Sequence, residues 1–155
     1  MKIVLFDSAR HDRSGFACGH AGLDEYLQRH ASQSIRNQLV RVYVAEDIQG
    51  KVLGYYTLSA ASLRHEELPE NLARRLPKYP VPAVLIGRMA SDRTARESGQ
   101  RIGSRLLIHA LKQALRAAET IGVQCVIVDS KPEAVVRSQP NMGCRVVHVS
   151  HPAYD

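Results

Sequence analysis

Apolar and polar residues alternate along the chain in a way that divides it into short segments of two kinds. Lys2 to Phe6 reads as a strand, and Phe16-Ala-Cys-Gly19 as a turn that opens a helix at Ala21 or Gly22. In that helix Leu23, Tyr26, Leu27, His30, Ala31 and Ile35 fall on one side at near-3.6 spacing. Arg41 to Glu46 alternates strictly, and Val52 to Ala60 is its hairpin partner across the polar loop Asp47–Lys51. Leu63 to Pro82 carries four prolines and many charges, which predicts a loop with a short helix near Glu70 to Leu76. An apolar run from Ala83 to Ala90 then stops at a turn, and a long amphipathic helix follows at once. Its stripe is Ile102, Leu106, Leu107, Ala110, Leu111, Ala114, Leu115 and Ala118, with Gly122 as its candidate C-cap. Val123 to Asp129 predicts a buried strand, Pro132 to Val136 the start of a helix, and Cys144 to Val149 a closing strand. The order predicts an α/β domain, a mixed and mostly antiparallel sheet flanked by helices.

The passage from Ala90 into the long helix is where chemistry concentrates. A strand that feeds a helix through a tight turn leaves the first N–H groups of the helix unpaired, at the positive end of its dipole. That is a seat for phosphate. Arg93, Arg96, Arg101 and Arg105 crowd the same stretch, so the chain is expected to handle a phosphorylated ligand.

Length and composition narrow the class further. At 155 residues one domain, 1–155, is expected. The formal charge of +6 suits nucleic acid, an anionic cofactor or an acidic protein without choosing among them. Cys18, Cys125 and Cys144 are odd in number and lack metal-ligand spacing, which suggests reduced thiols. The histidines, at 11, 20, 30, 65, 109, 148 and 151, include no HxxxH pair, so no metal is expected. No apolar run approaches the ~20 residues that span a bilayer, and the opening MKIVLFD is broken by Asp7. A cytoplasmic protein with no membrane partner is the expectation.

The motifs, taken in order, resemble the GNAT N-acetyltransferase superfamily over almost the whole chain. Phe16-Ala-Cys-Gly19 before Leu23-Asp24-Glu25-Tyr26-Leu27 is similar to the FxCG–LDxFL opening of its tRNA-acetylating toxins. Gly54-Tyr55-Tyr56-Thr57-Leu58-Ser59, Tyr79-Pro80-Val81-Pro82 and Ile86-Gly87-Arg88-Met89-Ala90 match the same branch. The resemblance implies acetyl-CoA as cofactor and the α-amine of an aminoacyl-tRNA as acceptor, with translation blocked as the result. It implies a ribbon-helix-helix antitoxin of a type II module as partner, and a homodimer. It puts the pantetheine arm along Met89, Ala90 and Ser91. The pyrophosphate loop, Q/R-x-x-G-x-G/A in the family, falls on Ser98, Gly99, Gln100, Arg101, Ile102 and Gly103; Ser104 either caps the helix or touches phosphate. Arg93, Arg96 and Lys78 become candidates for RNA contact, and Tyr55 or Tyr56 for the acceptor cleft.

Three positions depart from the family pattern. Ser98 stands for Gln or Arg, and Arg101 for the middle Gly. Gln139 stands where the family places the Tyr that protonates the leaving thiolate, and Pro140 follows it. A Gln is no general acid at neutral pH, so no catalytic residue is assigned; Tyr154 is the one alternative worth testing. Two rivals stay open: an acetyltransferase of a small-molecule or protein amine, and a degenerate domain that binds CoA or a partner without transfer.

Overall fold

The computed structural model describes residues 1–129 and 144–148. Six strands form one sheet in the order β1-β2-β3-β4-β5-β6. They are β1 (Lys2–Leu5), β2 (Arg41–Glu46), β3 (Val52–Leu63), β4 (Val81–Ser91), β5 (Cys125–Asp129) and β6 (Cys144–His148). The β1–β2, β2–β3 and β5–β6 pairs are antiparallel and β4–β5 is parallel, so the sheet is mixed, as the sequence implied. The helices are α1 (Ala21–Glu25), α2 (Ala31–Arg36), α3 (Glu70–Ala73), α4 (Arg93–Glu97) and α5 (Ile102–Thr120). Internal contacts divide the chain into two units, Met1–Ser59 with Arg88–Ala110 and Ala60–Gly87 with Leu111–Asp155.

In the first unit the β2–β3 hairpin has the register the alternation requires. Val44 faces Tyr55 and Tyr43 faces Tyr56 across it. Period-2 geometry then sends Val42, Val44 and Tyr55 to one side, where they pack with Phe16, Cys18, Tyr26, Leu27, Ala31 and Ala90. The loop closes on Asp47, whose carboxylate accepts the N–H groups of Gln49 and Lys51, each at 2.9 Å. Behind it His11 is buried. Its Nδ1 accepts the Asp7 N–H and its Nε2 pairs with Glu46 at 2.9 Å, which makes this histidine a structural strut.

One predicted helix is two. Between α1 and α2, Tyr26–His30 forms a π-turn, in which the Ala31 N–H reaches the Tyr26 carbonyl. Arg13 donates to the Leu27 carbonyl at 2.8 Å within the turn. The wider turn changes which side chains face inward: Tyr26, Leu27 and Ala31 are buried, whereas His30, expected on the apolar side, is exposed.

In the second unit Leu63, Leu68, Leu72, Val81, Ala83, Cys125 and Ile127 pack together. Burial pushes the Cys125 thiol up, in keeping with an inert core cysteine. The short helix expected at Glu70 to Leu76 is found at Glu70–Ala73. Gly122 is not a left-handed C-cap, because its φ is not positive; α5 ends with the Ile121 N–H on the Ala117 carbonyl at 3.0 Å. The helix expected from Pro132 lies outside the described residues.

Candidate functional site

β4 pairs with β5 only over Ala83–Ile86 but continues to Ser91. Among the described residues no strand pairs with that edge of β4 from Gly87 onward, which leaves main-chain groups of Met89, Ala90 and Ser91 available to an amide-bearing ligand. Instead of one helix following at once, α4 intervenes. Asp92 starts it as a buried N-cap, its carboxylate accepting the Ala95 N–H at 3.3 Å. The Ser98 hydroxyl donates to the Ala95 carbonyl and closes α4, and Gly99 turns the chain with φ +78.

Arg101 then takes φ 51, a left-handed conformation that glycine adopts freely. A residue with a side chain holds it at a steric cost of roughly 1–2 kcal/mol. The first main-chain bond of α5 runs from Arg105 N–H to the Arg101 carbonyl, so the N–H groups of Ile102, Gly103 and Ser104 precede the helical ladder. A Cβ added at Gly99 or Gly103 would meet nothing within 4 Å. Donors unpaired among the described residues, a helix dipole and open space coincide, and the residues present fit an anionic diphosphate.

The segment Phe16–Gly19 is fastened to this same turn. Asp92 accepts the Ala17 N–H at 3.1 Å, and the Arg93 N–H donates back to the Ala17 carbonyl at 2.8 Å. Asp24 of α1 accepts the Cys18 N–H at 2.9 Å, and an Arg96 guanidinium nitrogen donates to the Cys18 carbonyl. This network is the physical content of the FACG–LDEYL spacing.

It also revises two expectations. Arg96 spends one guanidinium nitrogen on holding the Phe16–Gly19 segment, and Arg93 lies over Gly19, while both side chains stay exposed. Lys78 is exposed in the second unit. Tyr55 and Tyr56 are fully buried with both hydroxyls engaged, so neither presents a face to an acceptor. The Tyr55 hydroxyl donates to the Leu23 carbonyl at 2.7 Å, and that of Tyr56 pairs with His109 Nδ1 at 2.9 Å. Burial raises both phenol pKa values well above the usual 10.0. Ser138, Gln139, Pro140 and Tyr154 lie outside the described residues.

The structure also draws attention to residues that spacing did not mark. The Arg88 N–H donates to the buried Thr57 hydroxyl at 2.9 Å. The Arg88 guanidinium sits 3.9 Å over the Tyr26 ring, and Tyr26 stacks on Tyr55. Sequence held one signal for this, the GRMA match, without a reason for the arginine.

No protein-family model matches the chain. It is 34% identical over 117 residues to a tRNA-acetylating toxin of Mycobacterium tuberculosis, covering 76% of this chain and 68% of that one. The chain belongs to the tRNA-acetylating toxins. Among solved structures, AtaT complexed with acetyl-methionyl-tRNAfMet superposes with a TM-score of 0.81 at 25% identity, over 95% of this toxin and 94% of that chain. AtaTR bound with AcCoA gives 0.77 at 26% identity, over 95% and 92%. The toxin therefore has the GNAT fold.

Proposed function

We propose that the protein transfers the acetyl group of acetyl-CoA to the α-amine of an aminoacyl-tRNA, with the diphosphate on the N–H groups of Ile102, Gly103 and Ser104. The observation that carries the reading is the unpaired edge of β4 leading into an open, donor-rich helix start. Met89, Ala90 and Ser91 would hold the pantetheine amides, and Ser98, Gly99, Gln100 and Arg101 shape the loop. Because the diphosphate lies beyond the C-terminal end of β4, the arm runs back along the strand and delivers its thioester near Met89.

Acetyl-CoA supplies an activated acyl group. Transfer needs a neutral amine about 3 Å from its carbonyl carbon, and a main-chain donor aimed at its oxygen. The N–C bond forms, the C–S bond breaks, and a proton passes from the amine to water while the thiolate takes one up. An α-amine beside an ester is less basic than a lysine, so a useful fraction is neutral near pH 7 and no strong base is needed. Family membership makes a ribbon-helix-helix antitoxin the expected partner.

The test is incubation of bulk charged tRNA with radiolabelled acetyl-CoA, followed by alkaline release and separation of the amino acids. Label in N-acetylamino acids supports the reading. Label that goes only to peptides or polyamines would favour the small-amine rival, and acetyl-CoA binding with no transfer the degenerate one.

A further inference from the structure

Tyr26 carries an unexplained hydroxyl. Its side chain is more than nine-tenths buried (6% exposed), yet among the described residues its oxygen has no hydrogen-bond partner. A buried, unpaired hydroxyl is destabilising, and native proteins keep such groups mostly where a ligand or water completes them. It sits at the first residue of the π-turn, a helical irregularity that recurs at functional sites. Arg88 lies directly over the same ring, and among the described residues its guanidinium has no hydrogen-bond or ion-pair partner. The N–H edges of a stacked guanidinium point outward in its own plane, free to donate.

The strand geometry puts this pair beside the chemistry. Arg88 and Ala90 are two apart on β4, so their side chains share a face, and Ala90 packs in the same cluster as Tyr26 and Tyr55. Arg88 immediately precedes Met89, where the direction of the arm brings the thioester. The Thr57 hydroxyl on the Arg88 N–H fixes the strand at that residue.

We infer that Tyr26 and Arg88 form the seat for the carbonyl next to the reacting amine. The Tyr26 hydroxyl and an Arg88 N–H donate to that oxygen, which makes the enzyme select α-aminoacyl groups over simple amines. The inference rests on the acceptor reading given above. It names these two as acceptor-positioning residues and assigns them no proton transfer.

Tyr26→Phe removes only the unpaired oxygen and keeps the ring under Arg88. The KM for charged tRNA should rise about tenfold, the worth of one hydrogen bond, with the KM for acetyl-CoA unchanged and the melting temperature equal or higher. Arg88→Gln should raise the same KM at least as much, and Arg88→Lys should restore part of it. Competitive inhibition by uncharged tRNA, which lacks the carbonyl, should be the same in all four proteins. An unchanged KM in Tyr26→Phe overturns the inference. So does an equal weakening of charged and uncharged tRNA, which would make the site a backbone-phosphate contact. If the wild type does not acetylate charged tRNA at all, the acceptor reading falls and takes the inference with it. A failure in the variants alone leaves that reading standing.

Discussion

Gly54 is hemmed in on two sides, and replacing it tests how the fold supports the cofactor. It lies on β3 opposite Ala45. An added Cβ would stand 2.9 Å from the Ala90 carbonyl oxygen, 2.9 Å from Ile102 Cγ2 and 2.9 Å from Leu106 Cδ1. Comfortable contact is about 3.5–4.0 Å, so β3 must retreat from β4 and from α5 together. Ile102 and Leu106 are themselves buried, and the Ala90 oxygen is main chain, so none of the three yields cheaply. Overpacking costs roughly 1–3 kcal/mol, and contact on two separate elements argues for the upper half, about 2–3 kcal/mol. For a chain of this size that lowers Tm by roughly 4–12 °C. Because the displaced residues flank the proposed pantetheine strand and the first turn of α5, acetyl-CoA affinity should fall as well. Calorimetric melting and acetyl-CoA titration of Gly54→Ala measure both. Adding Leu106→Ala makes room on one side, and the double variant should be about 1 kcal/mol more stable than the sum of the singles. A Gly54→Ala protein with wild-type Tm and affinity, or strictly additive effects, would refute the reasoning.

Gly103→Ala, which meets open space, should leave stability equal or raised by up to about 1 kcal/mol, whereas Gly103→Glu should abolish acetyl-CoA binding measured by calorimetry; intact binding in the Glu variant would remove the diphosphate from this turn. Asp92→Ala breaks a helix cap and orphans the Ala17 N–H, so urea unfolding should report a loss of about 1–3 kcal/mol; a loss well under that would mean that the contact to Phe16–Gly19 is dispensable. Tyr55 and Tyr56 keep their protons in the fold above pH 10.0, where the unfolded chain releases them, so their stabilisation is complete below pH 10.0 and is lost as pH climbs past it. Replacing both with Phe should flatten the alkaline arm of the Tm–pH curve, and an unchanged slope would contradict their burial. Gln139→Tyr should raise turnover on charged tRNA by up to the roughly 10²–10⁴-fold typical of general acid catalysis. If it does not, another group supplies the proton, and loss of activity in Tyr154→Phe would identify one.

What could be read from sequence was what depends on periodicity. The alternation in Arg41–Glu46 and Val52–Ala60 yields the hairpin with its register, because one buried face leaves only one pairing that works. The strand before the long helix and the turn that follows it were legible for a similar reason, since a glycine-containing turn between two periodic segments has few alternatives. What escaped depends on contacts distant in the chain. Tyr55 and Tyr56 look alike in sequence, and only Leu23 and His109 show that both hydroxyls are already used. Arg96 looks like any exposed arginine until the Cys18 carbonyl is found beside it. Arg88 and Tyr26 are 62 positions apart by number, and nothing local announces that one will lie on the other.

The π-turn at Tyr26–His30 acts as a phase shifter. Each residue of a regular helix rotates its side chain by about 100°, and a π-turn absorbs one residue more than an α-turn does. Tyr26 and Ala31 can therefore both face β3 and β4 although five positions separate them. Removing one residue from Gln28–His30 would let the segment wind as a continuous α-helix. Either α2 or Tyr26 would then lose its facing, and the short loop to β2 would decide which. A single-codon deletion here is thus a different kind of lesion from any substitution: it leaves every side chain of the acceptor seat present and, where Tyr26 is the one to turn, points it the wrong way.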